Sequence, residues 1–371
     1  MKKNLAIIFG GRSGEHEIAI RSARTVIEQA EPANYHIFPV AISPAGEWLS
    51  PAESLAMFPE DTVSYFQRIY GEPSDQRHFL TGDASVGGFS IANGGTQPLD
   101  CIFPVLHGTY GEDGTIQGLF EMADIPYVGC GVLASSCGMD KVTMKTLFRE
   151  ADLSICEYVW FLRSEWESHP DSVIRSVEAK IGYPCFVKPA NLGSSVGITR
   201  ANDEQGLRES IALAAEYDRK IIVEEGLDVR EIECAVLGNE DPGASEVGEY
   251  IIRDESKAFL DWAEKYTGTG NNEFVTPAPL STELSNKIKE LAVLAFKAID
   301  GSGLARVDFF LRKDSGALLV NEINTMPGLT DASGYPKMWE ASGMPFRSVI
   351  DRLVELAVER YDDKKRNRTD R

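Results

Sequence analysis

Unbroken apolar runs of strand length alternate along the first third of the chain with stretches in which apolar residues return every three or four positions. Residues 5–9 (LAIIF), 35–42 (YHIFPVAI) and 100–108 (DCIFPVLHG) are runs of the first kind, the pattern of strands buried on both faces. After the first run comes a glycine turn, then a helical pattern that Ser13 or Gly14 can start, with Glu15, His16 and Glu17 in its first turn. A helix over about 113–123 and a short strand at Tyr127 and Val128 complete a parallel α/β lobe. Residues 50–98 are turn-rich, with Gly87-Gly88 and Gly94-Gly95, show no catalytic constellation and read as an insertion over about 45–98.

A second unit begins near Ser135 or Ser136, where a helix is expected to start and to carry Lys141 in its interior. The strand YVWFL, a helix over 170–181, the strand opening PCFVKPANLGSSVGITR, the helical DEQGLRESIALAAEYD and the strand pair KIIVEEGLDVREIECAVLG follow. Residues 259–272 (FLDWAEKYTGTGNN) form an aromatic, glycine-rich loop long enough to act as a lid. Residues 282–300 place Leu284, Ile288, Leu291, Ala292, Ala295 and Ile299 at helical spacing, and a last helix spans about 345–361 before a solvated tail.

The period changes to two over 306–311 and 317–323, which are separated by the turn sequence KDSG. Arg306 and Asp308 then share one face of a strand, and Glu322 and Asn324 share one face of its partner. Val307, Phe309, Leu311, Leu319 and Ile323 are apolar, so the opposite face is expected to be buried. If the polar faces coincide, an Arg, two carboxylates and an amide converge, an oxygen-donor set suited to a hard cation with phosphate. A merely solvated strand face is the competing reading. The sequel MPGLT adds Pro327 and Gly328, a loop whose backbone N–H groups can point at an anion.

Composition narrows the partners. The 371 residues are 43 % hydrophobic, enough for two or three domains, and the net charge of −20 argues against nucleic acid or an anionic membrane. An anionic ligand must therefore meet a local basic pocket. Lys188 supplies one candidate, at the end of a buried strand and just before a glycine loop with Gly193, Ser194, Ser195 and Gly197, although no GK[ST] makes this a Walker A loop. Glu224, Glu225 and Glu231 flank a strand-to-strand crossover where an adenine edge and a ribose could bind, or where carboxylates are simply solvated. Glu15 reads either as a helix-terminal acid or as a carboxylate aimed at a substrate ammonium from the carboxyl end of a parallel strand. His107 lies at the same sheet edge, with a structural role as its alternative. Six scattered cysteines without a CxxC read as buried thiols of a reducing cytosol, and no run reaches membrane-spanning length. Lys2 and Lys3 before the first apolar run have the outline of a secretion signal, but the run is too short and passes directly into Gly-Gly-Arg.

GGRSGEHE, LHGTYGEDGTIQG, GMDKVTMK, VKPANLGSSVGI, VEEGLDVREIE, EKY, ARVDFF and NEINTMPGLT occur in the order that resembles the D-alanine-D-alanine ligases of the ATP-grasp fold, over essentially the whole chain outside about 45–98. The resemblance implies an α/β protein, α+β in its C-terminal part: an N-terminal substrate domain (1–135) and two lobes clasping ATP (136–228 and 229–371). It implies ATP-dependent joining of two D-alanines through a D-alanyl phosphate, for peptidoglycan precursor synthesis in the cytoplasm, by a homodimer. Lys141 and Lys188 would hold ATP phosphates under a flap containing Ser195. Glu224, Glu225 and Leu227 would lie by the adenine, Glu231 by the ribose, and Phe310 beneath the base. Lys265 would reach the terminal phosphate. Asp308, Glu322 and Asn324 would ligate two Mg²⁺, with Mn²⁺ as a substitute. Glu15 would orient the first D-alanine, with Ser194 and Tyr266 as its partners across the closed site. Arg306 and the Gly328 N–H would stabilise the oxyanion, and Ser333 and His107 would lie near substrate carboxylates. Two alternatives stay open: a D-alanine-D-lactate ligase, which the Tyr266 of EKY disfavours, and a nucleotide-binding regulator without turnover.

Overall fold

The computed structural model describes residues 1–193, 197–252 and 272–368. Strand β1 (Lys3–Gly10) and β2 (Tyr35–Ile42) come first, then three short strands, β3 (His78–Phe79), β4 (Gly88–Ile91) and β5 (Thr96–Pro98), and then β6 (Cys101–Val105). β1 lies between β2 and β6 and runs parallel to both. Its all-apolar sequence follows from that central place, because Leu5, Ile7 and Phe9 enter one core cluster while Ala6 and Ile8 enter another on the opposite face. The expected strand at Tyr127 is reduced to a single parallel bridge to Ile102.

The insertion is more structured than its turn-rich sequence suggests. It folds into helices Pro51–Leu55 and Glu60–Tyr70 and the antiparallel sheet β3-β4-β5. Leu55, Phe58 and Phe66 are buried in the same core as β1, and Leu80 and Phe89 in the cluster beneath its other face.

The expected helix around Lys141 is two helices, Val132–Met139 and Lys141–Glu150, because Asp140 is an N-cap. Its carboxylate accepts from the N–H groups of Val142 and Thr143, at 3.1 and 2.9 Å, and pairs with Lys220. Lys141 thus opens the second helix rather than lying inside a single one.

β7 (Tyr158–Leu162), β8 (Cys185–Pro189), β9 (Thr199–Ala201) and β10 (Lys220–Glu225) form an antiparallel sheet in the order β7-β10-β8-β9. Helices Pro170–Lys180 and Glu204–Tyr217 supply the buried Val173, Ile174, Val177, Leu207, Ile211 and Ala214 that cover it. β11 (Val229–Gly238), β12 (Gly243–Ile252), β13 (Asn272–Val275), β14 (Gly303–Arg312) and β15 (Leu318–Asn324) make the third large sheet, antiparallel in the order β13-β12-β11-β14-β15. Helix Thr282–Ala298 and residues Met144 and Phe148 of the helix Lys141–Glu150 share its core.

The last helix, Phe346–Lys364, packs back into the first lobe. Val349, Ile350, Leu353, Val354 and Ala357 join the cluster of Leu5, Ile7 and Phe9, and Tyr35 donates from its hydroxyl to Asp351 at 2.6 Å. Burying each such Leu, Ile or Val is worth roughly 1.5–3 kcal/mol, so this helix is part of the first lobe's core rather than a trailing end. Among the described residues no helix is long and apolar enough to cross a membrane.

Candidate active site

The β14–β15 hairpin has the face predicted from its period of two. Arg306 pairs with Asn324 and Asp308 with Glu322 across the strands, so the two polar faces coincide. Val307, Phe309, Leu311 and Ile323 are buried behind them. Leu319 is the exception. The register shifts between Asp308 and Phe309, leaving Asn321 as an extra residue in β15, so Val320 takes the core position and Leu319 stands opposite Phe310. The bulge thus gives the polar face an apolar extension, Phe310 and Leu319, on which a flat ring could lie.

Arg306 is the hub of that face. It donates from Nε and Nη2 to the two carboxylate oxygens of Asp308, at 2.6 and 2.7 Å, and its Nε is 3.3 Å from Glu233 Oε1 on β11. Burial alone would lower the guanidinium pKa, but Asp308 and Glu233 hold it well above its ordinary value. The expected cation ligands Asp308, Glu322 and Asn324 offer two carboxylates and an amide, which suits Mg²⁺ or Mn²⁺ completed by phosphate oxygens and water. Among the described residues no group of three or more His, Cys, Asp or Glu is arranged to hold a metal ion, so ligation would rest on this mixed set. A cation at Asp308 would compete with the guanidinium for the same oxygens.

A lysine cluster adjoins the hairpin. Lys188 at the end of β8 contacts Glu224 Oε2 at 2.6 Å, and Lys145 contacts Oε1 at 3.0 Å. Lys145 also reaches Cys156 Sγ at 3.4 Å and the carbonyl of the bulged Asn321 at 3.2 Å. Glu224 is 2 % exposed; burial would raise its pKa, but Lys145 and Lys188 outweigh it and hold the carboxyl down at about 2. Burial lowers the pKa of Lys141, an effect partly offset by Glu322. Its ammonium lies 4.0 Å from Glu322 Oε2 and donates to the Leu192 carbonyl at 2.7 Å, at the base of the glycine loop. Lys145 was missed in the sequence, although it stands four positions after Lys141 and so on the same helix face.

The first lobe contributes the opposite wall. Glu15 occupies the N-cap position of helix His16–Gln29, but its side chain makes no capping hydrogen bond. Its carboxylate instead sits between two glycines: a Cβ added at Gly108 or Gly193 would come within 2.9 or 3.3 Å of Glu15 Oε2. His107 is 3 % exposed and has both ring nitrogens engaged, Nδ1 with the Met326 carbonyl at 3.0 Å and Nε2 with Ser22 Oγ at 3.1 Å. Leu329 N donates to the same Ser22 hydroxyl at 3.3 Å, so the loop containing Gly328 is tied to the first lobe on both sides. Ser333, also buried, accepts at Oγ from Thr330 N at 3.1 Å.

Glu112 lies beneath His107, 3.7 Å from Nδ1. Burial pushes its carboxyl up to about 7, against the pull of His107 and with the charge of Glu15 adding to the rise. His107 is raised as well, because Glu112 outweighs burial. Both groups bind protons more tightly folded than unfolded. Stability from this pair is therefore present at low pH and lost as pH climbs from the ordinary carboxyl range to about 7. Glu112→Gln is expected to flatten that decline by on the order of 2 kcal/mol, read by denaturant titration between pH 5 and 8.

The remaining candidates line the crossover from β10 to β11. Glu225 accepts at Oε1 from the Glu157 N–H at 2.9 Å and so braces the strand beside it. Leu227 is half-buried in the connection, and Glu231 stands in register with Phe310. Ser194, Ser195, Lys265 and Tyr266 lie outside the described residues.

The chain is similar to known proteins along its length. The D-ala D-ala ligase N-terminus family model matches residues 4–130, and the D-ala D-ala ligase C-terminus model matches residues 147–355. A D-alanine–D-alanine ligase of Heliobacterium modesticaldum is 46 % identical over 374 residues, covering 100 % of this chain and 99 % of the relative. One from Bacillus velezensis is 45 % identical over 358 residues, covering 96 % and 98 %. Among solved structures, the D-alanine-D-alanine ligase of Coxiella burnetii superposes with a TM-score of 0.82 at 33 % identity, covering 98 % of each chain. The VanG D-Ala:D-Ser ligase of Enterococcus faecalis does so with a TM-score of 0.82 at 34 % identity, covering 96 % and 100 %. With family models matching residues 4–130 and 147–355 and relatives matching over the full length, the chain belongs to the D-alanine–D-alanine ligase family and has its ATP-grasp fold.

Proposed function

We propose that this protein joins two D-alanine molecules to D-alanyl-D-alanine at the expense of ATP, releasing ADP and phosphate. The observation that carries the reading is the meeting of the lysine cluster with the carboxylate face of the hairpin, Lys141 beside Glu322 and Lys145 on the carbonyl of Asn321. That arrangement sets phosphate-binding cations next to the donors of a hard metal ion.

A carboxylate is a poor electrophile. In the proposed sequence the carboxylate of the first D-alanine attacks the terminal phosphorus of ATP, giving an acyl phosphate and ADP. The amine of the second D-alanine then adds to the acyl carbon, a tetrahedral oxyanion forms, and phosphate leaves as the amine loses its proton. Lys141, Lys188 and the flap with Ser195 hold the phosphates, and Lys265 reaches the terminal one. Glu231 holds the ribose, while Glu224, Glu225, Leu227 and Phe310 surround the adenine. Glu15, with Ser194 and Tyr266, orients the first ammonium. Arg306 and the Gly328 N–H face the oxyanion, where preorganised donors act most strongly. Ser333 and His107 lie near substrate carboxylates, and His107 also holds the Met326 carbonyl in the loop leading to Gly328. Magnesium held by Asp308, Glu322 and Asn324 would supply positive charge against the phosphoryl oxygens.

The same proposal includes the three-part division at 135 and 228, homodimerisation through the first domain, residence in the cytoplasm and a role in peptidoglycan precursor synthesis. Family membership supports all four, and the placement of the three large sheets in successive segments supports the first.

Phosphate release from Mg-ATP should require D-alanine, not L-alanine, and should match D-alanyl-D-alanine one to one by mass. A depsipeptide from D-alanine plus D-lactate, or a mixed dipeptide with D-serine, would move the specificity within the family. Tight ATP binding with no D-alanine-dependent release would leave a nucleotide-binding regulator.

A further inference from the structure

We propose that Glu233 is a positioning residue for Arg306, the anchor that keeps the guanidinium aimed at the reacting carbonyl; this rests on the function proposed above. Glu233 stands in β11 directly opposite Asp308, with Gly248 of β12 on its other side. It is 3 % exposed, and its Oε1 is 3.3 Å from Arg306 Nε.

A buried carboxylate needs compensation, and among the described residues two sources lie beside this one. One is Arg306. The other is the start of helix Gly334–Ala341, since a Cβ at Gly334 would come within 2.7 Å of Glu233 Oε2 and a helix N-terminus favours an anion. The ring of Phe274 closes the pocket, filling the space that a Cβ at Gly248 or Gly334 would need. Glu233 is therefore fixed by its strand register, by Phe274 and by a helix end, whereas Asp308 is the group expected to turn toward a cation.

The division of labour follows from the geometry. Two acids flank one guanidinium, and both lie next to its Nε. When Asp308 engages a metal ion, Arg306 loses its two-pronged partner, and Glu233 is the carboxylate left to hold Nε. Nη2, which donates to Asp308 Oδ2 in this structure, is then released to face the oxyanion. Asp308 alone would leave the arginine untethered at the moment it is needed.

The test compares the whole protein with E233Q, E233D, R306A and the double variant E233Q/R306A. E233Q is expected to lose about 10–100-fold in kcat, the range seen when a supporting partner of an active-site group is removed, with KM for ATP changed less than about twofold. In the R306A background E233Q should add less than about a twofold further loss. Unchanged kcat in E233Q, or losses that multiply in the double variant, would overturn the proposal. If E233Q fails to fold, E233D is held to the same criteria. A second readout does not depend on turnover: with ¹⁵N-labelled arginine, the Arg306 Nε–H resonance should shift and exchange faster with water in E233Q, and an unmoved resonance would overturn the contact. Absence of D-alanine-dependent phosphate release in the parent would sink the ligase reading, with the resonance still deciding whether Glu233 anchors Arg306.

Discussion

Glu224→Ala is expected to destabilise the protein by about 3–5 kcal/mol, the range for removing one partner of a buried ion cluster. The carboxylate lies between Lys145 and Lys188, and both lysines are themselves buried, Lys145 to 1 % exposure. Alanine would leave two ammonium groups facing each other in a dry interior. Lys145 would keep the Asn321 carbonyl and the Cys156 sulfur, and Lys188 would lose its 2.6 Å contact. The pH dependence has the sign of a depressed carboxyl: the contribution of Glu224 is present above the ordinary carboxyl range and is lost as pH falls toward about 2. Urea denaturation at pH 7 and pH 4 measures both effects. A loss below about 1 kcal/mol at pH 7 would mean that water reaches the lysines and that the cluster is not structural.

Arg306→Ala is expected to lower turnover on the order of a hundredfold or more while leaving ATP affinity nearly intact, as for other oxyanion donors. Its guanidinium is held by the carboxylates of Asp308 and Glu233, whereas the acids beside the lysine cluster are Glu224 and Glu322. Removing it deletes a donor that matters when charge has moved onto the acyl oxygen, not when the nucleotide binds. Steady-state kinetics with separate nucleotide titration separates the two. Wild-type kcat in the variant would remove Arg306 from the reaction, and a matching loss of ATP affinity would reassign it to nucleotide binding.

Both predictions depend on features that the sequence disclosed unequally. Residues 5–9 were legible as a strand because a central parallel strand is apolar on both faces, and the short apolar run of 35–42 reads as the strand beside it. The pairing of Asp308 with Glu322 was legible because a period of two fixes which side chains share a face. Leu319 was misplaced for the same reason: one extra residue at Asn321 reverses the alternation, and a bulge has no signature in an otherwise regular strand. The break at Asp140 had a local cause, an N-cap between two helical segments, and a closer reading of the capping residue would have found it. The Glu224 cluster was beyond reach. Its members come from a helix and from two strands, and Glu224 was read from its place at a strand end as part of an adenine site, with no signal of its two lysine partners. Glu233 was invisible for a related reason, since a single acid in an apolar strand reads as ordinary alternation until the neighbouring strand puts Arg306 beside it.

The return of helix Phe346–Lys364 to the first lobe bears on how the chain is made. Tyr35 and Asp351 are separated by 316 positions, yet their hydrogen bond and the apolar contacts around it close the cluster that contains β1. On the ribosome the strands of that lobe emerge well before the helix that covers them. Until that helix is made, at about 5–20 residues per second, the first lobe waits with one flank uncovered. A chain lacking residues 346–364 would expose that apolar flank, so the core opened by the first strands is closed only by a segment 316 positions further along.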